Sequence, residues 1–428
     1  MASTTVFSLD GQGLKLDTAA DVEPHIKSLR ESSTVEEIRL GGNTLGPEAC
    51  GALAQVLEHK TTLRVANLAD IFTSRLLSEI PPALSFLLTA LLKLPLLHTI
   101  NLSDNAFGLN TQAPLVEFLS KHVPLRHLIL NNNGLGPHAG VLIADALSSL
   151  HTKKEAARAA GQTVPDLETV VCGRNRLENG SMQAWAKAFV AHNGLREVKM
   201  VQNGIRQEGI SHLLREGLAH ATALRLLDLQ DNTFTMLGSR ALAEVAPRWT
   251  QLRELGVGDG LLSTRGGIVV AEALGQGKNV HLETLRLQYN DIDSKGLAGF
   301  THAVKNALPA LKRIELNGNK FAEEDPSLDT LRDILEQRRS AATGQDRGAN
   351  SGEDEGEGEG EWGIDSLSDL EEDDEDEEGE EEEEEEEKEE KADKILQEAD
   401  AAEAENVPQQ KDKAVDALAS ELDRAELK

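Results

Sequence analysis

LRHLILNNN (125–133) decides how this chain folds, because the phrase returns along the sequence at a steady interval. Its leucines stand at the first, fourth and sixth places, and an asparagine closes it at the ninth. In extended chain, alternate side chains point to opposite faces, so Leu128 and Leu130 share one face. The phrase recurs as VEEIRLGGN (35–43), LHTINLSDN (97–105), LETVVCGRN (167–175) and LREVKMVQN (195–203). It continues as LRLLDLQDN (224–232), LETLRLQYN (282–290) and LKRIELNGN (311–319). Degenerate copies fill 63–71 and 252–260, and a shorter one at 6–14 brings the total to eleven units.

Most starts lie 28–30 residues apart, at the long end of the leucine-rich repeat range. A strand and turn use about ten residues. The remainder leaves room for a helix, as in PEACGALAQVLEH (47–59) and GSRALAEVA (238–246), where apolar residues fall at helical spacing. The expected fold is an α/β leucine-rich-repeat horseshoe of the ribonuclease-inhibitor kind, with parallel strands inside and helices outside. The closing asparagine, as at Asn105 and Asn133, is expected to be buried and to satisfy loop backbone groups. Met200 and Cys172 occupy the third-leucine place and read as core. Two units are irregular. From Leu125 to Leu167 the interval is 42, and 151–166 reads as a helix extension and loop. From Leu63 to Leu97 it is 34, which adds ADIFTSRLLSEIPPAL (69–84) and its arginine, Arg75.

The net charge of −31 is carried almost wholly by one end. From Asp346 onward there are 37 acids and 8 bases, whereas the preceding chain has 37 acids and 35 bases. This predicts a repeat domain over 1–340, an acidic low-complexity disordered segment over 341–400, and a tail over 401–428 with weak helical propensity. Such an acidic balance argues against nucleic acid as a ligand. No apolar run reaches the ~20 residues of a membrane helix, and Cys50 and Cys172 form neither a disulfide framework nor a zinc motif. The chain therefore reads as soluble, intracellular and without membrane insertion. No nucleotide-binding, metalloprotease or nucleophile-elbow motif is present, so no metal, cofactor or catalytic site is expected.

The residue before each asparagine lies at the end of its strand. From the second unit onward these residues are Gly42, Asp70, Asp104, Asn132, Arg174, Gln202, Asp231, Asp259, Tyr289 and Gly318. Strands ~4.8 Å apart make them a polar ladder. It reads either as a solvated edge with turn-forming aspartates or as a docking edge for a basic protein partner. Arg75 falls just beyond this edge and reads as projecting beside it.

The segments ADIFTSR (69–75), LSDNAFG (102–108), LILNNNGLGP (128–137), CGRNRLENGSM (172–182), KMVQNGI (199–205) and LDLQDNTFT (227–235) go beyond a generic repeat. Through them, and LRLQYN (285–290) and ELNGN (315–319), the chain resembles the fungal-type Ran GTPase-activating proteins (RanGAP) over about residues 5–340. The resemblance implies stimulation of GTP hydrolysis on Ran in its GTP-bound form, in support of nucleocytoplasmic transport. It implies a cytoplasmic and perinuclear location, a monomer, and a Ran-binding co-factor protein as a further partner. Asn132 matches the asparagine that positions the GTPase glutamine. Arg75 matches an arginine read as an anchor for the GTPase and not as a finger. Asp70, Asp104, Asn131, Asp231 and Asp259 are the expected partner-binding residues. Ser74 stands where the family has glycine, and Leu77 where a relative has lysine. The competing readings are an acidic-tailed repeat scaffold for histones or a phosphatase, and a ribonuclease-inhibitor-like scaffold, which the two cysteines fit poorly.

Overall fold

The computed structural model describes residues 5–108, 111–343 and 362–370. Eleven three-residue strands, from Val6–Ser8 to Arg313–Glu315, pair in chain order into one parallel sheet. The register repeats without slippage: Thr99 lies beside His127, His127 beside Thr169, and Thr169 beside Glu197. A helical segment follows each strand and packs against its predecessor, which gives the α/β horseshoe the spacing predicts. The degenerate copies comply, with strands at Val65–Asn67 and Glu254–Gly256.

Each repeat buries its leucines against its neighbours. Leu125, Leu128, Leu130, Cys172 and Met200 are fully inaccessible. A buried leucine contributes about 1.5–3 kcal/mol before chain entropy is charged against it. No repeat can bury this surface alone, so the array holds together by stacking.

The asparagines form the polar counterpart of that core. Asn133 receives the backbone N–H of Asn105 at 2.9 Å, Asn175 receives that of Asn133 at 3.0 Å, and Asn203 receives that of Asn175 at 2.9 Å. Each amide nitrogen donates to carbonyls of its own and the preceding turn, as Asn175 does to Leu130 and Gly173. Where Ile71 and Gly260 replace the asparagine, the next asparagine still accepts their N–H groups.

The longer fifth unit extends its helix, Gly136–Ala159, and returns through a loop at 160–166. Lys154 pins that loop. It is buried, and its three ammonium donors reach the carbonyls of Val123, Leu125 and Pro165, each at 2.7 Å. Burial lowers its pKa to about 8. His192 serves a similar end, donating Nε2–H to Leu147 O at 2.8 Å.

Residues 362–370 fall inside the segment expected to be acidic and disordered. Within the acidic segment, Gly363–Ile364 adds a twelfth parallel strand beside Arg313–Glu315. Asp365 accepts the N–H groups of Leu316 and Asn317 at 2.7 and 3.1 Å, and Ile364, Leu367 and Leu370 pack on the core. These few apolar side chains, spaced among acids, cover the sheet's last edge. The rest of the expected acidic segment from 371, and the tail at 401–428, lie outside the described residues. No helix of the described residues is long and apolar enough to cross a membrane.

Candidate docking edge

All ten ladder residues share one backbone conformation. Their φ angles run from 49° at Asp70 to 70° at Gly42, with Asn132 at 52°. This left-handed region costs an ordinary L-residue about 1–2 kcal/mol, and glycine, asparagine and aspartate enter it most readily. Four aspartates, one asparagine and two glycines among ten positions therefore have a backbone reason to be there. The recurrence of Asp reflects the turn before it reflects any partner.

Asn132 is exposed, and its amide nitrogen donates to Asp104 Oδ1 at 2.8 Å. Its side-chain carbonyl has no partner among the described residues, and the bond from the amide nitrogen to Asp104 limits how the group can turn. Asn131, one residue earlier, is half-buried, and its Oδ1 accepts the N–H of Gly173 at 2.6 Å. Adjacent asparagines thus divide the work: Asn131 and Asn133 tie the strands together, and Asn132 is left free to act outward.

Arg75 does not project beside the ladder as the sequence suggests. Its side chain is 7% exposed and turned into the first two repeats. Nη1 meets Asp17 Oδ1 at 2.6 Å, Nε donates to Thr44 Oγ1 at 2.9 Å, and Nη2 donates to Thr44 O at 3.0 Å. The guanidinium holds the Asp17 carboxyl below its ordinary pKa. What this brace displays is the loop itself, where Leu76 and Leu77 are 68% and 60% exposed. Ser74, at the family's glycine place, has φ 65°, so that place does require the left-handed conformation. Asp70 accepts the Thr73 hydroxyl at the base of the same loop.

Farther along the edge, Arg176, Glu178, Gln202, Asp231, Asp259 and Leu261 line an open cleft of about 420 Å³. Partial burial and the neighbouring Asp259 carboxylate raise the pKa of Asp231, while Gln202 donates to it. Asp231 and Asp259 are therefore brought together, whereas Asp70 and Asp104 lie with Arg75 and Asn132 toward the other end.

A leucine-rich repeat family model matches residues 278–300. Ran GTPase-activating protein 1 of Saccharomyces cerevisiae is 42% identical over 334 residues, covering 76% of this chain and 81% of that protein. The chain belongs to the Ran GTPase-activating protein family. Ran GTPase-activating protein of Drosophila melanogaster is 35% identical over 321 residues, covering 74% of this chain and 53% of the fly protein. A solved leucine-rich repeat-containing protein from Legionella pneumophila aligns with 78% of this chain and 98% of its own at 15% identity and a TM-score of 0.42.

One feature of this family member escapes sequence reasoning. Asp17 is the ion-pair partner of Arg75 from 58 positions away, and no spacing announces it. The left-handed ladder had a visible signal, since the Asp, Asn and Gly at one place in the repeat are the residues such a turn selects.

Proposed function

We propose that this chain stimulates GTP hydrolysis by Ran in its GTP-bound form. It docks its loop edge on the GTPase and fixes the GTPase's own glutamine, with no arginine entering the nucleotide site. The observation that carries this reading is the state of Asn132. With Asp104 holding its amide nitrogen, the carbonyl is presented in one orientation, ready to accept from a glutamine amide. A glutamine held in this way aligns the attacking water, and such positioning alone can supply a large share of a rate enhancement. The nucleotide, the magnesium ion and the water belong to the GTPase.

The engaged guanidinium of Arg75 supports an anchor that works through its loop. The loop offers Leu76 and Leu77 as apolar contacts, including the place where a relative has lysine. Asp70, Asp104, Asp231 and Asp259 give the edge negative charge for basic groups of the partner, and a cation beside Asp231 would offset the burial and the Asp259 charge that raise its pKa. Asn131 keeps the strand straight beneath Asn132. In this reading the chain acts as a monomer on the cytoplasmic side, at the nuclear envelope, where a Ran-binding co-factor protein assists by freeing Ran for docking.

The test is single-turnover hydrolysis of GTP preloaded on Ran, with catalytic amounts of this chain and with Ras as the control GTPase. Acceleration of Ran alone is expected. Equal rates with and without the folded chain would refute the proposal.

A further inference from the structure

Two neighbouring repeats build the same loop from opposite residues. After the fifth strand, the left-handed places relative to the buried asparagine are Asn132, Gly134 and Gly136, with φ 52°, 61° and 70°. After the sixth strand, the same places are Arg174, Arg176 and Glu178, with φ 55°, 55° and 50°. Asparagine and glycine enter this region cheaply, whereas long side chains do so at a cost. Packing does not explain the sixth loop, because all three residues are exposed. Neither Arg174 nor Arg176 has a hydrogen bond or ion pair among the described residues. The other long ladder side chains are accounted for: Gln202 donates to Asp231, and Tyr289 donates to Asp369.

The two arginines also interrupt the charge of the edge. Asp70 and Asp104 precede Asn132, and Asp231 and Asp259 follow Gln202. The order is negative, neutral, positive, neutral, negative, with Arg174 next to Asn132 and Arg176 on the rim of the cleft.

We infer that the Arg174–Glu178 loop is kept in its costly shape to present Arg174 and Arg176 as the pair that sets docking register. A carboxylate on the GTPase surface seats against the two guanidiniums, while basic groups on either side of it meet the aspartates. Planar guanidinium forks suit a carboxylate, and a shift of one repeat would set like charges together. Register chosen in this way brings Asn132 to the nucleotide. The arginines are positioning residues, and this assignment rests on the reading of the chain as an activator of Ran.

The experiment rewrites the sixth loop as the fifth, with Arg174→Asn and Arg176→Gly in the full chain. Melting is then measured alongside the kinetics of GTP hydrolysis on Ran. The melting temperature is expected to rise by about 1–3 °C as the left-handed cost is relieved. KM is expected to rise at least about tenfold, with kcat within about twofold and a flatter dependence of KM on salt. An unchanged KM would overturn the inference, as would a fall in kcat with KM intact. If the rewritten loop melts early, Arg174→Lys carries the test. It keeps charge and backbone but loses the fork, and an unchanged KM there is equally fatal. A wild-type chain with no effect on Ran is a different result, and it removes the functional reading itself.

Discussion

The loops after the fifth and sixth strands turn the same corner beside each other, yet one is built from Asn132, Gly134 and Gly136 and the other from Arg174, Arg176 and Glu178. The difference separates what the fold requires from what it merely tolerates. Where a left-handed place holds glycine or asparagine, geometry alone explains the residue. Where it holds an arginine, something beyond geometry is needed. Asn132 is the instructive middle case, since its backbone is explained and its side chain is not. The amide is aimed by Asp104 and offered outward. Replacing it should therefore have the largest effect on activity and almost none on folding. Asn132→Ala is expected to lower the single-turnover rate on Ran by about 10²-fold or more while Ran·GTP still binds, on the order of the loss when one preorganised hydrogen bond of an active site is removed. Asp104→Ala should produce a smaller loss of the same kind, because the amide is then free to turn. Retention of full turnover by Asn132→Ala would erase the distinction between its side chain and its backbone.

Asn133, one residue on, gives the reverse pattern. Its Oδ1 accepts Asn105 N–H, and its amide donates to Leu102 O and Asn131 O at 3.1 and 2.9 Å. Asn133→Ala leaves the buried Asn105 N–H unpaired, while Leu102 O keeps the Asn105 amide and Asn131 O keeps the Asp104 N–H, so the cost in urea unfolding should be about 1–3 kcal/mol. Activity should fall only in step with stability.

Arg75 sharpens the comparison from the far side of the edge. An arginine that contacts the GTPase directly and one that braces a loop make different predictions. Arg75→Ala should lower activation in either case, and should cost about 1–3 kcal/mol as the Thr44 carbonyl and Asp17 lose the guanidinium, Asp17 keeping Lys15. Asp17→Asn separates the two. If the brace is what matters, it should lower the rate on Ran several-fold, although Asp17 lies in the first repeat. Full activity in Asp17→Asn, alongside loss in Arg75→Ala, would return the guanidinium to a direct contact.

The core at the C-terminal ends of two helices has its own sensitivity to acid. Burial lowers the pKa of His122 and of His192 to about 4, and both are inaccessible rings that donate to carbonyls. A folded-state pKa below the ordinary ~6.5 means that the unfolded chain binds more protons between these values. Stability is therefore complete above about pH 6.5 and is lost as pH falls toward 4, by up to about 3 kcal/mol per ring. Melting followed from pH 7 to 4.5 should show this decline, and His122→Gln with His192→Gln should flatten it. A wild-type melting temperature constant over that window would contradict neutral burial of the two rings.

The legible and the hidden parts of this molecule divide by periodicity. Leu128, Cys172, Met200 and the asparagine spine were readable because each place is repeated many times, so the burial of one copy predicts the rest. Contacts made once were not readable. The Arg75–Asp17 pair joins residues 58 positions apart through two loops of different repeats, and Arg75 looked exposed only because its partner was invisible. The cap at 362–370 was hidden by its surroundings, since Trp362, Ile364, Leu367 and Leu370 stand with only Asp365 and Asp369 but are flanked on both sides by acid-rich chain. The ladder was seen, and its turn-forming and docking readings were left open. Its aspartates answer first to a φ near 55°, and only the positions that break the Asp, Asn and Gly preference point past the backbone.

Ser74 applies that rule on the smallest scale. Its φ of 65° is the conformation that glycine adopts freely, and the family's usual glycine shows that the turn can be built without a side chain. Ser74→Gly should thus be the one substitution in this loop that leaves the fold better off. The gain is limited, because glycine also gives the unfolded chain more freedom. The expected net is about 0.5–1 kcal/mol, read as a small rise in melting temperature with the rate on Ran unchanged. The outcome bears on the arginine loop as well. If relief at Ser74 stabilises the chain while Arg75 still holds Thr44 and Asp17, the left-handed cost is real in this array and is borne three times over at Arg174, Arg176 and Glu178. If Ser74→Gly destabilises, the surroundings have already absorbed that cost. The contrast between the fifth and sixth loops would then lose its energetic basis, and charge alone would have to support the docking pair.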